Sequence, residues 1–212
     1  MITSVRNPKV AAAAKLRKRA HRDRERRFLV EGAQAVGEAV DSLETLFFTG
    51  PNAVVETAMA AGVALIEVSA EVMERLTSTV TPQGLVGVAP FLDVPLDGLS
   101  RELGCVAVLC AVRDPGNAGT VLRSADASGA DAVVFTSESV DVYNPKTVRA
   151  SAGSLFHLPV VRGVAAAARF SDSARPEIGT RIVASASDDT SPGSPHASLP
   201  NRKAEGTVRS RS

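Results

Sequence analysis

The sequence is poor in the residues that most often carry chemistry. It has two cysteines and three histidines in 212 residues. Cys105 and Cys110 sit in one apolar run, with no Cys-x-x-Cys pair and no Cys/His cluster at metal spacing. They read as small buried hydrophobes, not as a disulfide or a metal site. His21, His157 and His196 are scattered, so Ser151 and Ser154 have no base at an interpretable spacing. His157 reads as a boundary residue. No apolar run follows the N-terminal charges, and no window approaches a membrane span. The expectation is a cytoplasmic protein with no signal peptide and no membrane contact. Asp23, Glu25 and Glu31 argue against a transit peptide. The Lys-Ser/Thr ending of a P-loop and the dinucleotide GxGxxG pattern are absent as well.

What is present is an apolar content of 44%, enough for one or two small cores. The net charge of +1 hides an uneven spread. Residues 6–27 hold ten Lys or Arg against two acids, Asp23 and Glu25, so the remainder is net acidic. A basic arm on a near-neutral chain points to a polyanion held at one end.

The pattern along the chain is α/β alternation, which implies layers of sheet and helix. Residues 8–27 read as one helix, with Pro8 in its first turn and Val10, Ala13, Leu16 and Ala20 as its apolar stripe. Short strands are expected at 28–30, 45–49, 63–68 and 84–89, and helices at 33–43, 53–61 and 70–76. Gly62 closes the second of these helices and Ser69 caps the third. Residues 90–104, with two prolines and two glycines, read as a linker. The domains expected are therefore 1–89, then the linker 90–104, then 105–185.

The second domain starts with the apolar run 106–111, of a kind suited to a parallel sheet covered on both faces. The spacing predicts a turn over 113–119 and a helix over 120–128 ended by Gly129. A strand at 132–135, a helix at 145–152, a strand at 158–161, a helix at 164–170 and a strand at 180–184 follow. Two features stand out. The turn Gly116-Asn117-Ala118-Gly119-Thr120 leads into a helix, where free N–H groups and the helix dipole suit an anion; it is equally ordinary strand–helix punctuation. Arg123, four residues after Gly119, is expected one turn inside the helix, facing that turn. It could hold a phosphate or a ribose hydroxyl, or be a solvated surface arginine. Lys146 and Arg149 share a helix face.

Asn117-Ala118-Gly119-Thr120-Val121-Leu122-Arg123-Ser124-Ala125, preceded by Arg113-Asp114-Pro115-Gly116, resembles the first signature motif of the SpoU/TrmH family of RNA 2′-O-ribose methyltransferases. The segment from Pro145 to Pro159 is similar to the one that follows it in that family. Ile2-Thr3-Ser4, Asn7-Pro8-Lys9, Phe28-Leu29-Val30-Glu31-Gly32 and Thr81-Pro82-Gln83-Gly84 resemble its substrate-binding domain. The resemblance implies an N-terminal α/β substrate-binding domain and a parallel α/β domain of SPOUT type with a trefoil knot. It also implies S-adenosylmethionine as cofactor, RNA (rRNA or tRNA) as substrate, a homodimer and no metal. On this reading Asn117 and Arg123 are the catalytic candidates. Arg6, Asn7, Lys9 and Arg17 on the arm, with Lys146 and Arg149, are the RNA-binding candidates.

The resemblance stops near residue 185. Residues 186–212 hold six Ser, three Pro and only five apolar residues, a composition that reads as a disordered tail. The family's later motifs, which form the cofactor pocket and most of the knot, are not legible there. The expectation is an incomplete knot domain from a truncated or frameshifted end, with cofactor-binding residues unknown. The alternative function is then an inactive RNA-binding fragment without a cofactor pocket.

Overall fold

The first half builds its sheet from short strands with a two-residue alternation. The computed structural model describes residues 1–79, 82–99 and 103–165, together with the backbone of 181–186. The strands are β1 (Arg27–Glu31), β2 (Thr45–Phe48), β3 (Ala64–Glu67) and β4 (Leu85–Pro90), in the order β1–β4–β2–β3. β4 runs antiparallel to β1 and β2, and β2 parallel to β3. Leu29, Phe47, Val86 and Val88 point to one face, where α1 (Pro8–Lys15) and α5 (Ala70–Leu76) cover them with Val10, Ala13, Leu16, Val72 and Met73. Phe28, Val30, Leu46 and Leu85 point to the other face. That core runs on through α3 (Ala33–Glu38) and α4 (Ala53–Ala60) into the second half, reaching Tyr143, Val148 and Leu155.

The second half is an all-parallel sheet of β5 (Cys105–Cys110), β6 (Ala132–Thr136), β7 (Val160–Val164) and β8 (Arg181–Ala186), in the order β7–β6–β5–β8. Helices α6 (Pro115–Ala127) and α7 (Pro145–Ala150) connect its strands. Ala107, Leu109, Val133 and Phe135 join the main core, and Val106, Val108, Val134 and Val161 form a separate cluster on the opposite face. Both faces of the central strands are thus buried, as an uninterrupted apolar run requires. Cys105 and Cys110 are free thiols.

Three expectations change. The helix over 8–27 is two helices, α1 and α2 (Arg19–Glu25), broken at Leu16–Lys18. The break frees the carbonyls of Leu16 and Arg17, and the Arg22 side chain takes both through Nη1 at 2.9 Å. The expected turn over 113–119 is instead the start of α6. Asp114 caps it and Pro115 occupies its first position, so the helix begins five residues early. Lastly, the segment read as a linker is packed in its first part. The Phe91 ring stacks on Tyr143 with centroids 4.1 Å apart, and Val94 N donates to Val160 O. Tyr143 Oη accepts from the backbone N–H groups of Leu92 and Asp93 at 2.7 Å each and donates to Asp93 Oδ1. Burial, with the Asp93 charge alongside, pushes the Tyr143 hydroxyl pKa up, keeping it a neutral donor.

The helix expected over 164–170, the tail 186–212 and the knot crossing lie largely or wholly outside the described residues. Among the described residues, no helix is long and apolar enough to cross a membrane.

Candidate functional site

The site forms where α6 meets α3 and the loop after α7. Three helices, α1, α6 and α7, begin the same way: an Asn or Asp cap followed by Pro. Asn7 Oδ1 accepts from Lys9 N, Asp114 Oδ1 from Asn117 N, and Asn144 Oδ1 from Lys146 N, at 2.8–2.9 Å. The cap fixes each helix start, and the proline removes a donor that would go unused. Asn7 therefore spends its side-chain oxygen on its own helix.

At the start of α6 the same chemistry removes the anion cradle. The Asn117 N–H holds the Asp114 carboxyl below the usual carboxylate range, and Lys146 Nζ, 3.3 Å from Oδ2, adds to this. The helix N-terminus thus already faces a carboxylate of its own, and an added anion would meet repulsion. Gly119 has a different task. A Cβ there would lie 2.4 Å from Ala150 Cβ and 2.7 Å from Thr147 O, so its lack of a side chain lets α6 and α7 touch.

Arg123 lies two turns inside α6, not one, and faces a cleft of about 720 Å³. Thr120, Ser124 and Asp126 of α6 form one wall, Gln34 and Glu38 of α3 another, and Ser154 and His157 close the end. The Arg123 side chain is exposed and makes no hydrogen bond or ion pair among the described residues. Asn117 is exposed too but does not line this cleft; six residues from Arg123, it falls on another face of α6.

His157 ties the cleft together. Nδ1 lies 2.8 Å from Asp126 Oδ2 and Nε2 lies 3.2 Å from Glu38 Oε2. The bond to Asp126, helped by that to Glu38, raises the imidazole pKa above its ordinary value. A ring that donates from both nitrogens to carboxylates is a cationic clamp between α3 and α6. Gly153, at φ 104°, allows the close approach, since a Cβ there would strike the Glu38 side chain.

The remaining candidates divide by partner. Lys146 pairs with Asp114, while Arg149 lies 3.5 Å from Glu31 Oε2 and donates to Ser78 Oγ. Glu31, itself buried, also accepts from Ser78 N and Oγ. These two cations therefore serve contacts within the chain. Arg6, Lys9 and Arg17 are exposed and their side chains make no contact of this kind among the described residues.

The sequence reading missed Arg22. Only 2% exposed, it donates from Nε and Nη2 to Asp141 Oδ2 at 3.1 and 2.6 Å. Arg162 stacks over Phe91 and Tyr143 and lies within 4 Å of both Asp93 and Asp141. Nothing local distinguishes Arg22 from its charged neighbours, because its partner is 119 residues away. Among the described residues, no group of His, Cys, Asp or Glu could hold a metal.

Sheet, arm and cleft together define a class: a two-part α/β protein whose front half, carrying a basic arm, is fused through one core to a parallel SpoU-type half. Sequence models of two families match it. The MRM3-like substrate binding domain matches residues 7–87, and the SpoU rRNA Methylase family matches residues 104–204, past the point where the motif reading stops. The chain belongs to the SpoU rRNA methylase family. It is 34% identical over 163 residues to the Bacillus subtilis 23S rRNA (guanosine(2553)-2′-O)-methyltransferase RlmP, covering 76% of this chain and 64% of that protein. It is 36% identical to the mitochondrial rRNA methyltransferase 3 of Xenopus laevis, over 72% of this chain and 38% of the other. The AdoMet-bound rRNA methyltransferase of Sinorhizobium meliloti superposes with a TM-score of 0.69 at 35% identity, over 76% of this chain and 64% of that one. The chain thus spans just under two thirds of the bacterial relatives it matches.

Proposed function

We propose that this protein is an RNA 2′-O-ribose methyltransferase that acts on ribosomal RNA with S-adenosylmethionine as donor. The observation that carries this reading is Arg123: an unpaired guanidinium in a polar cleft, at the motif position the family uses, on a boundary where the neighbouring cations are paired. Family membership and AdoMet-bound neighbours from S. meliloti and Streptomyces viridochromogenes support the donor.

The described residues supply the acceptor side. Arg123 cannot act as a base, because its pKa exceeds about 12. Its planar fork suits a backbone phosphate, and its charge stabilises the alkoxide that develops as the 2′-oxygen loses its proton. The proton passes to water, which reaches the exposed Arg123 in its open cleft. Holding the ribose in line contributes further, by removing the cost of orientation. The donor brings a sulfonium-bound, electrophilic methyl group. At the carboxyl ends of β6 and β7, where parallel sheets hold ligands, the cavity is about 250 Å³ and is walled by the charges of Asp93, Asp141 and Arg162. That is smaller than ordinary ligand pockets of roughly 300–1,000 Å³, and its charges answer one another.

Asn117 as a second site residue, a homodimer and a cytoplasmic location belong to the same proposal. So do the domain limits 1–89 and 105–185. Sedimentation velocity tests the dimer. Cell fractionation tests the location, since several relatives are mitochondrial by name. The central experiment incubates the protein with ribosomal RNA and methyl-labelled S-adenosylmethionine and maps alkali-resistant linkages. Label at a single 2′-oxygen, together with micromolar donor binding by calorimetry, is expected. RNA binding without label or donor binding would instead establish the inactive RNA-binding fragment.

A further inference from the structure

The face of the first sheet that carries α1 has a groove of about 480 Å³ that touches all four strands. Its floor includes Thr45, paired across the sheet with Val88 and Ala64, and Ile66, paired with Phe47. Four strands set about 4.8 Å apart give the floor a width of roughly 14 Å. Lys9, Ala12 and Lys15 of α1 form one wall, and His21 and Arg24 of α2 another.

Charge accounting separates this groove from the rest of the surface. Its two acids are both taken: Glu25 by Arg24 at 2.7 Å, and Glu44 by Arg27. Lys9 and Lys15 have no ionic partner among the described residues, and neither do Arg6, Arg17 and Lys18 beside them. The groove is therefore a positive channel with an aliphatic floor, to which exposed Ala64 and half-buried Ile66 contribute, and exposed Ala12 adds apolar surface on the wall. A polyanion with apolar faces complements it. Single-stranded RNA has phosphates for the lysines and unpaired bases for the floor. A duplex hides its bases and would use the lysines alone. The ring of Phe47 is buried, so the bases rest on aliphatic surface and recognition is sequence-tolerant.

We infer that this groove seats a single-stranded RNA segment flanking the methylated nucleotide. The inference rests on the function proposed above. The test uses the full chain and a fluorescein-labelled, mixed-sequence 10-nucleotide RNA, with a hairpin duplex of equal composition as a second probe. Anisotropy is read across a salt series. Lys9→Glu combined with Lys15→Glu should weaken single-strand binding at least tenfold and flatten the salt slope by about 1.4, the loss of two phosphate contacts at ~0.7 each. Ala64→Glu, which places a carboxylate on the floor and leaves both lysines, should also weaken it. Arg75→Glu on α5, a change of two charge units against four for the lysine pair and one for Ala64→Glu, should alter it less than twofold. Wild-type binding unaffected by the groove variants overturns the groove and leaves the methyltransferase reading intact. Wild-type protein that binds no RNA overturns that reading as well. Equal affinity for the hairpin, or for poly-glutamate, overturns a single RNA strand as the occupant.

Discussion

Arg22 and Arg123 both lie near the boundary between the two halves of the chain, and they end in opposite states. Arg22 is buried and each of its three nitrogens has a partner: two carbonyls at the end of α1 and the Asp141 carboxylate from the other half. Arg123 stands open in a cleft with hydroxyls and paired acids around it and nothing bound to it among the described residues. The same side chain is an architectural bolt in one place and a free hand in the other. Saturation of donors, not residue type or local charge, separates the two.

Breaking the buried side should have the largest effect. Asp141→Ala leaves Arg22 without its counter-charge in the interior, and about 3–5 kcal/mol of stability should be lost in urea unfolding. Replacing both partners, Arg22→Met with Asp141→Leu, should recover only part of that loss, because the carbonyls of Leu16 and Arg17 and the Arg162 guanidinium lose partners too. Breaking the open side should do the reverse. Arg123→Ala should cost about 10²–10³-fold in methyl transfer and move stability by no more than about 0.5 kcal/mol. Arg123→Lys should restore little, because the fork is lost. A clear destabilisation by Arg123→Ala would erase the contrast.

Gly119→Ala probes the contact that holds α6 beneath the cleft. Its new methyl meets backbone atoms of α7, so a loss of about 1–3 kcal/mol is expected by thermal unfolding. The smallest effect is a pH dependence. His157 is about two-fifths exposed, so its clamp contributes under about 1 kcal/mol. Its pKa is raised in the folded state above 6.5. The contribution is therefore full below pH 6.5 and fades as pH rises through the higher folded value. His157→Gln should flatten that part of the stability–pH curve and leave the rest.

Local rules carried the sequence reading well where a structure is decided locally. Ser69 capping the helix over 70–76, and Gly62 and Gly129 following helix ends, are effects of a few neighbouring residues. The α/β order and a strand at the apolar run 106–111, buried over 106–109, follow from period and composition. The break after Lys15 was hidden because Val10, Ala13, Leu16 and Ala20 keep helical spacing through it. The carbonyls freed at the break are taken by Arg22, whose own partner, Asp141, lies far along the chain. Gly119 looked like a turn residue because a packing glycine and a turn glycine are the same letter. For the site, the motif singled out Arg123, while Glu38 and His157, 119 residues apart, are brought to its cleft only by the shared core.

The bridge from α1 through Arg22 to Asp141 has one more consequence. The arm that carries Lys9 and Lys15 is not a tether that can swing. It is bolted to the half that carries Arg123. On the proposed function, the spacing between the groove and Arg123 is then a built-in gauge. Such an enzyme would select its nucleotide by distance along the strand as well as by chemistry.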